Sequence, residues 1–125
     1  MILDKIVEKT KERYTDKLDK LDEIKELSTR RAILNPNFFY EAIGKKGISF
    51  ICEVKKASPS KGVISETFPY LEIAKKYNEC ADCISCLTEP YFFLGSDEYL
   101  TNIKIVASSP GNMRHVTRTL PVCCW

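Results

Sequence analysis

Two strand-like runs, each followed by a helix-like run, limit the folds open to this chain more than any other feature. "ISFICEVKK" (48–56) alternates so that Phe50, Cys52 and Val54 share one face, and Ser49, Ile51, Glu53 and Lys55 the other. "PYLEIAKKYNEC" (69–80) then has helical spacing, with Pro69 in its first turn and Tyr70, Ala74 and Tyr77 at i, i+4 and i+7. "DCISCLTE" (82–89) is nearly continuous in small and apolar residues, as strands buried on both faces of a parallel sheet are. "SDEYLTNIKIVAS" (96–108) predicts a second helix, with Ser96 as N-cap and Asp97 and Glu98 in the first turn. Alternating strands and helices predict an α/β chain with a parallel sheet covered by helices.

The remainder divides around this segment. Residues 1–28 carry apolar positions at helical spacing (Ile2, Leu3, Ile6, Val7, Thr10, Tyr14, then Leu18, Leu21, Ile24, Leu27) on a charged background. "NPNFFYEAIGKKG" (35–47) predicts a short helix with Phe38, Phe39, Ala42 and Ile43 on one side and glycines ending it. "SPSKGVISETF" (58–68) and "PYFFLG" (90–95) read as loops. After residue 107 the pattern fails, and "SSPGNMRHVTRTLPVCCW" holds the only histidine, His115, with room for one further strand. The expected organisation is a helical extension over 1–47, strand–helix units over 48–107, and a divergent tail over 108–125 that fits a truncated or frameshifted end.

Composition excludes several functions. The 125 residues suit one domain, and 44% hydrophobic with 29% charged residues is globular usage. "ISFIC" and "YFFL" fall far short of the roughly 20 apolar residues that span a bilayer. "MILDKIVEKTKER" has no signal-peptide core, so a cytoplasmic protein with no membrane partner is expected. A net charge of +2, with basic residues scattered among acids, gives no track for nucleic acid. Six cysteines in a cytoplasmic chain are expected to be reduced thiols. "CADCISC" (80–86) has iron–sulfur spacing, but the next ligand position is Pro90, and residues three apart on a strand face opposite ways. Small buried thiols are the expected use, with no metal.

The end of the first strand carries the chemistry. In parallel α/β folds, ligands sit beyond the carboxyl ends of strands. Glu53 and Lys55, two apart, would point together at such a site. The pair can supply a proton acceptor and donor, or its ammonium can hold a phosphate or carboxylate. The same spacing also fits an ordinary surface ion pair.

"FICEVKKASPSKG", "FPYLEIAKKY" and "ISCLTEPYFFLGSDEYL" together resemble the indole-3-glycerol phosphate synthase family over about residues 1–105. The resemblance implies a (β/α)8 TIM barrel, here a partial one: an N-terminal helical extension plus the first two or three βα units. It implies a carbon–carbon lyase of tryptophan biosynthesis. Such an enzyme converts 1-(2-carboxyphenylamino)-1-deoxyribulose 5-phosphate to indole-3-glycerol phosphate with loss of CO2 and water. By resemblance, Glu53 and Lys55 are catalytic, Glu53 in proton transfer and Lys55 in substrate contact and later as an acid. Ser58 would lie against substrate and Phe93 beside its anthranilate ring; no metal or organic cofactor is implied. In "TLPVCCW", the pair Pro121–Val122 is similar to the family's third strand. Two or three strands cannot close a barrel of eight. The chain alone is therefore expected to be weakly active or inactive, and to self-associate through open sheet edges or pair with the rest of a barrel.

Overall fold

The computed structural model describes residues 1–15, 38–107 and 115–119. Helix α1 (Ile2–Thr15) buries Ile6. Thr10, one turn on, donates its hydroxyl to the Ile6 carbonyl at 2.8 Å, and Arg13 continues the same face. The rest of the long helical pattern expected up to residue 28 lies outside the described residues. The short helix expected near 38–43 is α2 (Phe38–Ile43), closed by the Gly44 N–H donating to the Tyr40 carbonyl at 2.8 Å.

The alternating segment folds as two parallel βαβ units. In order come β1 (Ile51–Val54), β2 (Ala57–Ser58), β3 (Gly62–Val63), α3 (Tyr70–Cys80), β4 (Cys83–Leu87), α4 (Asp97–Ala107) and β5 (His115–Thr119). β1, β4 and β5 form one sheet in the order β1-β4-β5, every pairing parallel. In register, Cys52 lies opposite Ile84, Glu53 opposite Ser85 and Val54 opposite Cys86. Alternation then sets Val54, Ile84 and Cys86 on one face, where they meet Phe68, Ala74 of α3 and Ile103 of α4 in a single core. Each fully buried aliphatic side chain there contributes roughly 1.5–3 kcal/mol relative to exposure. Three rings line the core beside them. Tyr70 and Tyr99 lie 4.5 Å apart between centroids, and Phe68 meets the Tyr99 ring edge-on at 5.4 Å. Asn102 on α4 donates to the Tyr70 hydroxyl at 2.9 Å, which joins the two helices.

Four sequence expectations change. The first strand starts at Ile51, not residue 48, because the Phe50 N–H donates to the Asp82 carboxylate (2.9 Å) instead of to a strand carbonyl. Lys45 pairs with the same carboxylate, so a side chain terminates the ladder. The loop expected over 58–68 begins in a small antiparallel hairpin, Ala57 opposite Val63 and Ser58 opposite Gly62. Gly62, at φ +64°, supplies the left-handed residue that closes a three-residue hairpin connection. Cys80 is the last residue of α3, whereas Cys83 and Cys86 lie on β4. The whole of "CADCISC" is therefore not a strand, and among the described residues no three metal-ligating side chains gather. Finally, the tail contributes β5 at His115–Thr119, while Pro121–Val122 lies outside the described residues. No helix among the described residues is long and apolar enough to cross a membrane.

Candidate active site

β1 delivers its charged residues to the face turned away from the α3–α4 core. Val54 is buried on the helix side, so Glu53 and Lys55 emerge together on the other. The Lys55 ammonium donates to Glu53 Oε1 at 2.5 Å, with the two side chains 33% and 38% exposed. The expected shared face is therefore present, and the pair is a direct ion pair at a strand's carboxyl end. Partial exposure leaves both groups within reach of a ligand.

Beyond Lys55 the backbone turns. The Lys56 carbonyl accepts N–H groups from Ile64 (2.8 Å) and Ser65 (3.4 Å), which folds the β2–β3 hairpin back over the strand end. Ser58 sits in β2. Its hydroxyl lies 3.5 Å from that of Ser60 and accepts the Lys61 N–H at 3.3 Å. Phe93, half-buried, is on the loop after β4, and its carbonyl accepts the Ala57 N–H at 3.2 Å. The structure thus pairs Glu53 with Lys55 through their side chains. It ties the Phe93 backbone to the residue before Ser58, and it seats the Ser58 hydroxyl within its own hairpin.

Sequence reasoning missed two residues that organise this end of the sheet. Glu89, only 3% exposed, accepts the N–H of Tyr91 on one carboxylate oxygen (2.9 Å) and those of Phe92 (2.7 Å) and Phe93 (3.2 Å) on the other. The signal available was an acid closing a strand run of small and apolar residues, since a Glu in such a run is rarely buried unless it is paired. Arg13 of α1 donates to the Thr88 carbonyl (3.3 Å) and to the Asp97 carboxylate (2.9 Å), bridging both ends of the same loop. Its helical register was readable in the sequence; its partners, far along the chain, were not.

Three thiols lie on the strands of the sheet, Cys52 on β1 and Cys83 and Cys86 on β4. Burial pushes the Cys86 thiol up to about 11, with a smaller contribution from the Asp97 charge. Cys83 is raised first by burial and then by Asp82, and Cys52 by burial and then by its neighbour Cys80. These thiols are held protonated, as structural cysteines are.

A parallel strand–helix–strand sheet with an ion pair at its first strand end defines an α/β chain of the class in which ligands sit beyond the carboxyl ends of strands. A sequence model of the family described as indole-3-glycerol phosphate synthase matches residues 3–116, and the chain belongs to that family. The match runs into β5, further than the limit near residue 105 read from the motifs. Indole-3-glycerol phosphate synthases of Ruminiclostridium cellulolyticum (48% identical over 113 residues) and Endomicrobium trichonymphae (53% over 115) are similar to 88% of the chain. That of Lachnoclostridium phytofermentans is 45% identical over 118 residues, 83% of the chain. In each case the chain spans 44% of the relative's length.

Proposed function

We propose that this chain forms the first βα units of a (β/α)8 barrel and the first-strand part of an indole-3-glycerol phosphate synthase active site. The substrate would be 1-(2-carboxyphenylamino)-1-deoxyribulose 5-phosphate, and the setting the cytoplasm. The chemistry asks for what β1 presents. An aryl carbon attacks the ribulose carbonyl carbon, the carbonyl oxygen takes up a proton, and the aryl carboxylate leaves as CO2. Loss of CO2 restores the aryl ring; the resulting hydroxyl must then be protonated to leave as water, while a proton is removed from the carbon beside nitrogen to complete the aromatic indole. In this reading the Lys55 ammonium contacts the substrate and later donates the proton with which the hydroxyl leaves, and the Glu53 carboxylate takes part in proton transfer as the acceptor. Ser58 contacts the substrate from the hairpin, and Phe93 lies beside its anthranilate ring. The observation that carries the reading is the Glu53–Lys55 pair at the carboxyl end of β1, in a chain that belongs to this family.

A chimera tests it. Residues 1–107 replace the matching segment of the Ruminiclostridium cellulolyticum relative, and indole fluorescence follows product. Turnover that falls by at least about 100-fold in Lys55→Met supports the assignment, in line with the usual contribution of a positioned proton donor. A folded chimera with no turnover, or a Lys55→Met chimera with full turnover, overturns it.

A second reading concerns the chain on its own: a weakly active or inactive barrel portion that self-associates or pairs with a complementary chain. The exposure of Ile51 on β1, and of Ile48 and Phe50 just before it, favours it, since an uncovered apolar strand at a sheet edge is a template for further pairing. Sedimentation of the chain with and without a polypeptide carrying the later strands checks this; a monomer that ignores that polypeptide refutes it.

A further inference from the structure

We propose that Glu89 is a positioning residue of the candidate active site: its buried carboxylate folds the loop after β4 so that Phe93 and the Ala57–Ser58 strand are held together beside Glu53 and Lys55. The inference rests on the proposed function for what the site binds, and on geometry alone for how the loop is built.

A carboxylate taken out of water is tolerated only where hydrogen bonds replace its hydration. Glu89 meets that demand with three consecutive backbone N–H groups, from Tyr91, Phe92 and Phe93. Three donors converging on one anion fix the chain direction over just the residues that lead to Phe93. The Glu89 carbonyl also accepts the Gly95 N–H at 2.8 Å, closing the loop on its own first residue. Gly95 itself approaches so closely that an added Cβ would lie 2.3 Å from the Leu87 carbonyl oxygen. Arg13 holds the two flanks, Thr88 and Asp97. Once the loop is set, the Phe93 carbonyl meets the Ala57 N–H, and Ala57 starts the strand that carries Ser58. The path from Glu89 to the site thus runs through two adjoining contacts, carboxylate to Phe93 N–H and Phe93 carbonyl to Ala57 N–H.

The test is residue-resolved amide hydrogen exchange on the full chain, wild type against Glu89→Gln. Gln keeps the shape but offers one acceptor oxygen, and turns a donor group toward donors. The expected result is exchange at least tenfold faster at residues 91–93 and at Ala57, with Ile84 and Ser85 of β4 unchanged. Unchanged exchange at 91–93, or acceleration spread equally over β4, overturns the proposal, because Glu89 would then be idle or a general stabiliser. Should Glu89→Gln fail to fold, Glu89→Asp provides the same readout, since it keeps the charge but is one methylene too short to reach all three N–H groups. A parallel titration, in the chimera that carries residues 1–107, uses the substrate, 1-(2-carboxyphenylamino)-1-deoxyribulose 5-phosphate, followed by its anthranilate fluorescence. Glu89→Gln should weaken binding at least fivefold, and equal affinity in the two proteins would refute the positioning role. A chimera with unaltered Glu89 that does not bind this compound would refute the proposed substrate instead, and the exchange pattern would still decide the role of Glu89.

Discussion

β1 and β4 lie side by side in one parallel register, yet they live in different environments. Every residue of β4 is buried, on both faces of the sheet; β1 buries only Val54, and Ile51 stays 53% exposed. The neighbours account for the contrast. β4 is flanked by β1 and β5, lies over α3 and α4 on one face, and meets α2. β1 pairs with β4 alone among the described strands and turns Glu53 and Lys55 toward open space. A strand enclosed on all sides has no freedom to carry unpaired charge, whereas its half-covered neighbour can hold an ion pair without desolvating it. Burial and exposed charge are thus divided between adjacent strands of the same sheet.

The largest expected effect tests that division with one residue type. Ile84→Ala removes a fully buried side chain from the core and should cost about 2–5 kcal/mol of unfolding free energy. Ile51→Ala, one strand away, should change it by no more than about 0.5 kcal/mol. Urea midpoints for the two variants check the claim, and equal losses would erase the contrast between the strands. A second effect uses Cys86, also enclosed on β4. Its folded thiol keeps its proton to about pH 11, whereas the unfolded thiol releases it near the ordinary 9.0. The folded state therefore binds more protons across that window. The contribution is whole below pH 9 and is lost as the pH rises toward 11, at about 1.4 kcal/mol per pH unit. Stability measured from pH 8.5 to 11 should fall more steeply for the native chain than for Cys86→Ala; parallel curves would show that the thiol ionises without penalty. The turn after β4 gives a third, smaller effect. Gly95→Ala places a methyl group against the Leu87 carbonyl and should cost about 1–3 kcal/mol by overpacking, read again as a urea midpoint.

The same contrast marks where the sequence could be read. β4 was legible because an enclosed strand is written in its composition: "CISCL" has no charged residue to contradict it. α3 and α4 were legible from spacing, and the Ser96 cap is present, its hydroxyl accepting the Glu98 N–H at 3.1 Å. The shared face of Glu53 and Lys55 followed from the two-residue period of a strand. Less local features left weaker traces. The true start of β1 depends on Asp82, more than thirty residues away, taking the Phe50 N–H. The β2–β3 hairpin has two residues per strand, too few for any alternation to show. Glu89 was read only as the end of the strand run 82–89, because nothing local announces that three amides will turn toward it. β5 left only the β-branched Val116, Thr117 and Thr119 in an otherwise polar run.

The smallest expected effect separates the two strands most sharply, because there the energetic and functional roles part. Lys55 and Glu53 are each about a third exposed, so water already screens the pair. Double-mutant analyses of such pairs give about 0–1 kcal/mol. Glu53→Gln and Lys55→Met, alone or together, should therefore shift the unfolding free energy by less than about 1 kcal/mol, with the double variant departing from the sum of the singles by no more than about that amount. The same two substitutions in the chimeric enzyme should nearly abolish indole formation. A loss of several kcal/mol in either single variant would mean that the pair is anchored like a buried one, in which breaking one partner strands the other. β1 would then be a second scaffold strand, and the open face would need another explanation. A small stability change with a large loss of turnover would place the ion pair on the side of chemistry, held ready by a fold whose stability comes from the strand next door.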